Sequence, residues 1–299
     1  MKKKWLISVL FLLILACNAL TVPEMASPPA TELPSPVVPT PTTVEERLTE
    51  QANIDDQPIY AIIARMAAGP FYLLGGTQNG EWVSPEEVIP DLADEDYRVF
   101  IMNGSIGPAR GAEPVYDEYC KSYRIDLDSY PQENQAVGTN GDWNVTPHLA
   151  QEIPTDNSTY INTLTDWLIG KGFPNPVVDI SQILRVDLEG DGTDEVLISA
   201  SHFVEPTGHS VEPGDYSLVL MRKVVGDSVE TIPILEDDYH QEVVTQFPLT
   251  YTGAFTADLN GDGVLEIVVG VERWESSGIM AFEINGTTVH QVFRMLCGL

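Results

Sequence analysis

Two short stretches of this 299-residue chain carry oxygen-bearing side chains at a spacing that could do chemistry. Asp187-Leu188-Glu189-Gly190-Asp191-Gly192-Thr193-Asp194-Glu195 recurs as Asp258-Leu259-Asn260-Gly261-Asp262-Gly263-Val264-Leu265-Glu266. Positions one, three, five and nine of each stretch offer carboxylate or amide oxygens. Glycine at position six permits the sharp turn that lets them converge, and the carbonyl at position seven, of Thr193 or Val264, can add one more oxygen. A hard cation such as Ca2+ favours such a set, so the pattern points to two calcium sites. The plainer alternative is that Asp, Asn and Gly simply make tight turns here. Recurrence at corresponding places of a longer repeat favours the ion.

The elements that must position these loops are strands. An EF-hand needs a bidentate acid at position twelve, on an exiting helix. Position twelve is Ile198 in one loop and Val269 in the other. The exits Val196-Leu197-Ile198 and Ile267-Val268-Val269 are apolar and rich in β-branched residues, and the entrances Ile183–Val186 and Ala254–Ala257 also suit strands. Further strands are expected at Ser217–Arg222 and Val229–Leu235 around Gly226-Asp227, and at Ile279–Ile284 and Thr288–Phe293 around Asn285-Gly286. Both segments thus read strand, acidic loop, strand, linker, strand, tight turn, strand, an internal repeat of four-stranded units.

Over roughly residues 181–297 the chain resembles FG-GAP or VCBS repeats, the calcium-loop repeats of integrin-α-like propellers and of many bacterial surface proteins. The resemblance implies metal ligands at Asp187, Glu189, Asp191, Thr193 and Glu195, and at Asp258, Asn260, Asp262, Val264 and Glu266. Two departures stand out: Glu occupies position nine of both loops where the family usually has Asp, and Glu189 stands at position three in place of Asp or Asn. Only two repeats are legible, whereas a closed propeller needs about four to eight blades. The expected fold is therefore α+β and mainly β: two four-stranded, blade-like antiparallel meanders packed with a smaller mixed α/β N-terminal part.

The N-terminus supplies an address. Lys2–Lys4 precede an apolar run from Trp5 to Leu15, which is too short to span a bilayer. The run ends Ile14-Leu15-Ala16-Cys17, which resembles the bacterial lipobox and implies a diacylglyceryl-modified Cys17 at the start of the mature chain. An ordinary secretory leader cut near Ala19 is the alternative. Residues 1–16 are thus read as a lipoprotein signal peptide and 17–45 as a lipid-anchored tether, whose seven prolines from Pro23 to Pro41 favour extended polyproline II. Residues 46–175 form a mixed α+β region, and 176–299 hold the two repeats. With Cys17 acylated, Cys120 and Cys297 remain, an even pair in an oxidising compartment and hence a candidate disulfide.

The formal net charge is −30, and loss of the leader's three lysines would leave about −33. So acidic a chain repels nucleic acid and anionic headgroups, which leaves the acyl chains as its only contact with the membrane. In the N-terminal region, Ile59, Ile62, Ile63 and Met66 after Asp56-Gln57-Pro58 have helical spacing. A hairpin is expected across Asn79-Gly80, a short helix from Ser84 to Leu92, a strand at Tyr97–Met102, long loops over 104–156 apart from a periodic stretch at Tyr119–Ile125, and a helix over Thr159–Ile169.

No nucleophile elbow, P-loop or dinucleotide fingerprint occurs, and the five histidines lack a helical zinc spacing. His202, Glu205 and His209 share a polar linker, where solvated imidazoles are the common case. Trp82, Trp143, Trp167 and Trp274 suit a sugar-stacking surface or a core. The residues therefore nominate no catalytic centre. The leading expectation is a calcium-binding, lipid-anchored cell-surface protein acting as a binding, adhesion or scaffold module toward an extracellular protein or glycan. The rivals are an extracellular hydrolase of a glycan or other polymer, and a purely structural envelope component.

Overall fold

The structure, a computed structural model, describes residues 57–298 apart from 66–68, 90–91, 93, 103, 130–134 and 245. The leader, Cys17 and the proline-rich tether lie outside the described residues.

The N-terminal part is one antiparallel sheet with a single helical turn. Its elements are β1 (Tyr60–Arg65), β2 (Phe71–Gln78), β3 (Glu81–Val83), α1 (Pro85–Val88), β4 (Asp96–Ile101), β5 (Gly104–Arg110), β6 (Val115–Asp117), β7 (Ser122–Ile125) and β8 (Ala136–Thr139). The strand order is β5-β4-β8-β1-β2-β7-β6, with β3 paired to β2. The expected hairpin is present: Asn79-Gly80 joins β2 to β3, with Asn79 at φ 54° and Gly80 at φ 80°. Pro85 opens α1, and the Glu87 carboxylate accepts from both the N–H and the hydroxyl of Ser84.

Two expectations need correcting. The segment read as a helix from its spacing at Ile59, Ile62 and Ile63 is strand β1. It runs through the middle of the sheet, so Ala61, Ile62, Ile63 and Ala64 are all fully buried, alternately toward opposite faces. A strand covered on both sides is a continuous apolar run and has no alternation to betray it. Likewise residues 104–156 are not only loops, since β5 to β8 and β9 (Gln151–Glu152) lie within them. Gly104, Gly107 and Pro108 disguise β5, an edge strand, where a missing proline N–H costs no ladder bond.

The C-terminal part holds α2 (Ser158–Gly170), β10 (Ile180–Val186), β11 (Glu195–His202), β12 (Ser210–Val211), β13 (Tyr216–Val225), β14 (Ser228–Asp238), β15 (Val243–Val244), β16 (Thr250–Ala257), β17 (Glu266–Arg273), β18 (Ser276–Asn285) and β19 (Thr288–Cys297). Strands β10, β11, β13 and β14 form one antiparallel meander, extended at its edge by β9, and β16 to β19 form the other. The fold is α+β and mainly β, with two four-stranded meanders as the repeat requires. At the outer edge of the first meander, Val219 pairs with Leu235 but Leu220 with Pro233, so β14 bulges at Ile234. The same edge strand carries Glu230, Glu236, Asp237 and Asp238.

Period-two patterning stacks these sheets face to face. In β17, Ile267, Val269 and Val271 pack on Leu197, Val219 and Met221 of the first meander, while Val268 points the other way, among Ile62, Leu74 and Val137 of the N-terminal sheet. The second meander is therefore buried on both faces. The far face of the first meander is closed by α2, whose Leu164 and Leu168 meet Ile183, Ile198 and Leu220. Asn157 caps this helix, its side chain accepting from Thr159 N at 3.0 Å.

Candidate functional site: two acidic loops

Each acidic loop spans the β10–β11 or β16–β17 hairpin, whose register runs from Val186↔Glu195 and Ala257↔Glu266. The glycine at position six is left-handed in both, at φ 86° for Gly192 and 88° for Gly263, a conformation that a side chain would strain. The position-one carboxylate organises each turn. Asp187 accepts from Asp191 N at 3.1 Å and Gly192 N at 2.8 Å, and Asp258 accepts from Gly261 N at 2.6 Å and Gly263 N at 3.0 Å. Asp191 and Asp262, at position five, accept from the N–H of Thr193 and Val264. A backbone bond joins the loops, from Leu265 N to Leu188 O at 2.8 Å.

Both departures from the repeat pattern acquire a physical role. Glutamate at position nine is long enough to reach back to the N–H at position two. Glu195 accepts from Leu188 N at 3.0 Å, and Glu266 from Leu259 N at 2.7 Å. Glu189, at position three, reaches across the sheet to the ammonium of Lys223 on β13, which also bonds Glu195 at 3.2 Å. Burial opposes the charge on Lys223, but the two carboxylates outweigh it and hold its pKa above the usual range. Sequence reasoning missed this lysine, because the contact joins two paired strands, β11 and β13, and bridges 28 residues.

The second loop is more enclosed. Asp258, Asn260 and Glu266 are buried, whereas Asp262 faces solvent. Residues from the N-terminal half clasp it: Trp143 Nε1 donates to Asp258 O at 2.8 Å, Val145 O accepts from Asp258 N at 2.8 Å, and Asn260 Nδ2 reaches Gly80 O at 3.4 Å. Asn260 Oδ1 accepts from Asp262 N at 3.1 Å.

Lys223 has no counterpart here. Val196 pairs with Arg222 and Ile267 with Phe282, so the residue one step beyond is Lys223 in the first meander and Glu283 in the second. Glu283 accepts from Trp82 Nε1 at 3.1 Å. Glu266 is fully buried, and its Oε1 has no hydrogen-bond partner among the described residues. Burial first, and then the Asp262 and Asp258 charges, push Glu266 from 4.5 up to about 9. Burial also raises Asp258, against the two N–H bonds that favour its charged form.

The described residues contain no ready-made group of three or more His, Cys, Asp or Glu around one point. The acidic side chains are spread along each turn on backbone donors. In the second loop the orphaned Glu266 oxygen, with Asp258 and Asp262 near enough to perturb its charge, fits a hard cation, because a buried acceptor without a donor calls for a positive partner. The first loop fits less well, since Glu189 and Glu195 already share an ammonium.

Elsewhere, Cys120 and Cys297 sit together with sulfurs 1.91 Å apart, 177 residues from one another in sequence. His202 lines a cleft of about 470 Å3 with Phe173, Pro176 and His240, while His209 packs at a tilt against Phe247 and Trp274. The structure thus separates the two linker histidines that the sequence grouped with Glu205. Trp143 supports the second loop, Trp82 packs on Phe293 and bonds Glu283, and Trp167 donates from α2 to Glu236 at 2.8 Å. Trp274 remains half exposed. The chain matches no protein family, no curated protein and no solved structure.

Proposed function

We propose that the chain is a lipid-anchored cell-envelope protein that binds calcium through FG-GAP/VCBS-like loops and acts as a non-enzymatic binding or scaffold module. The observation that carries this reading is the buried, unpartnered Glu266 Oε1 inside a turn that also presents Asp258, Asn260 and Asp262. A divalent ion there would give that oxygen a partner in place of a proton and offset most of the negative charge of Asp258, Asp262 and Glu266. It would also stiffen a turn that Trp143 and Gly80 tie to the N-terminal sheet.

The partner surface in this reading is the exposed end of the sheets, where Phe247 and Trp274 lie nearly parallel at 6.2 Å and His209 packs 4.7 Å from Phe247. Aromatic rings at a loop cluster suit a glycan or an aromatic-bearing protein segment. A hydrolase finds less support. Three clefts on the described surface are each lined by at most one carboxylate, short of the pair that glycoside hydrolysis uses. No helix among the described residues is long and apolar enough to cross a bilayer. The membrane contact in this reading is the acylated Cys17.

Calcium titration of the full-length chain in detergent tests the proposal. Extracellular sites of this kind have dissociation constants of about 10⁻⁴ to 10⁻³ M. Tenfold excess over that constant stabilises by about 1.4 kcal/mol per site, or roughly 3–6 °C in Tm for a domain of this size. EDTA should lower Tm by that amount, calcium should restore it and magnesium should restore it poorly. Absence of binding heat at millimolar calcium, with a melting curve indifferent to EDTA, would remove the basis of the reading.

A further inference from the structure

The two acidic loops face the same electrostatic problem and meet it differently. In the first, the position-three and position-nine carboxylates, Glu189 and Glu195, converge on the Lys223 ammonium, which is itself buried. These are two of the oxygen donors that a divalent ion in this loop would have to recruit. An ion entering would compete with the ammonium for them and would leave a buried positive charge without partners, a costly arrangement. In the second loop Glu283 takes the place of Lys223, so no ammonium enters from that strand, and Glu266 Oε1 stays unpartnered although fully buried.

We infer that Lys223 is the resident cation of the first loop, so that the first loop holds no divalent ion and the chain binds a single one, in the second. This rests on the reading above that an acidic loop of this chain takes calcium, and it narrows two expected sites to one. It also assigns Lys223 as the residue that sets the difference. The loops share the left-handed glycine at position six, its N–H bond to the position-one carboxylate and the position-nine contact to the N–H at position two. The residue at this place on the third strand of each meander is basic in one and acidic in the other.

Isothermal calorimetry with CaCl2 on the full-length chain in detergent decides the matter by stoichiometry. The native chain should bind one ion, Asp262→Asn should weaken that binding at least tenfold, and Asp191→Asn should leave both stoichiometry and affinity unchanged. Lys223→Met keeps the aliphatic stem, frees Glu189 and Glu195, and should raise the stoichiometry to two. Two ions on the native chain, one of them lost in Asp191→Asn, would overturn the inference while leaving calcium binding intact. A single ion lost in Asp191→Asn and kept in Asp262→Asn would reverse the assignment and equally overturn it. One ion on a folded Lys223→Met chain would show that something other than the lysine closes the first loop. No ion on the native chain would instead overturn the calcium reading itself, and the single-site inference with it. The two aspartate variants decide the single-site claim even if Lys223→Met fails to fold.

Discussion

Glu266→Gln separates the two parts that one carboxyl plays in the second loop. Without an ion, burial and the Asp262 and Asp258 charges raise its pKa from 4.5 to about 9, so the folded chain keeps a proton that the unfolded chain releases near 4.5. The folded state therefore binds more protons across that window. Stability is fullest below the unfolded value and is lost as pH rises toward 9, by at most about 1.4 kcal/mol per unit. At about pH 8 the accumulated loss is on the order of 3–5 kcal/mol, while at about pH 5 it is under about 1 kcal/mol. Glutamine is nearly isosteric, still accepts from Leu259 N and has no proton to lose.

In EDTA the variant should therefore melt well above the native chain at about pH 8, by roughly 6 °C or more, and close to it at about pH 5. In millimolar calcium the order should narrow or invert, because the ion stabilises the carboxylate and has little use for the amide. Binding the ion also displaces the proton, so native calcium affinity should climb with pH over this range. Thermal melts at the two pH values, each with EDTA and with calcium, provide the four comparisons. A variant that in EDTA at about pH 8 is no more stable than the native chain would refute the protonated, buried Glu266. A variant that responds to calcium as fully as the native chain would refute its role as a ligand.

Cys120 and Cys297 should be disulfide-bonded, and reduction should cost up to about 5 kcal/mol, because the bridge spans 177 residues of chain; two free thiols in the unfolded, unreduced protein would exclude the bond. Leu168→Ala should destabilise by about 2–5 kcal/mol in a urea titration with unchanged slope, since Leu168 is buried where α2 closes the first meander; a cost below about 1 kcal/mol would mean that α2 is not firmly docked. Cys17→Ser should release the chain from the membrane fraction, and an unlipidated native chain that starts downstream of Cys17, found by intact mass, would contradict the anchor.

The acidic turns were legible because a cation loop and a tight turn both need particular residue types at fixed spacing, and the meanders because their strands alternate or end at Gly226-Asp227 and Asn285-Gly286. Their partners were not. Trp143 reaches Asp258 from 115 residues away, Trp82 reaches Glu283 from 201, and Lys223 meets Glu195 from 28 on the neighbouring strand. Such contacts come from stacking and register, which no local window contains. The reading of β1 as a helix failed for a related reason: Ile62 and Ile63 face opposite cores, and the covering sheets lie far along the chain. Glu189 and the two position-nine glutamates stood out as departures from a pattern, and only their reach across the sheet or back along the turn explains them.

The outer edge of β14 has a consequence for how copies of the chain meet one another. A head anchored at a membrane through Cys17, as proposed, diffuses in two dimensions, where encounters are frequent and orientations restricted. An open strand edge invites pairing with the same edge of a neighbour. In β14, Pro233 lacks the N–H such a ladder needs, the bulge at Ile234 breaks its register, and Glu230, Asp237 and Asp238 would bring like charges together. Two such edges repel and mismatch when they meet, which keeps crowded neighbours from zipping into a continuous sheet.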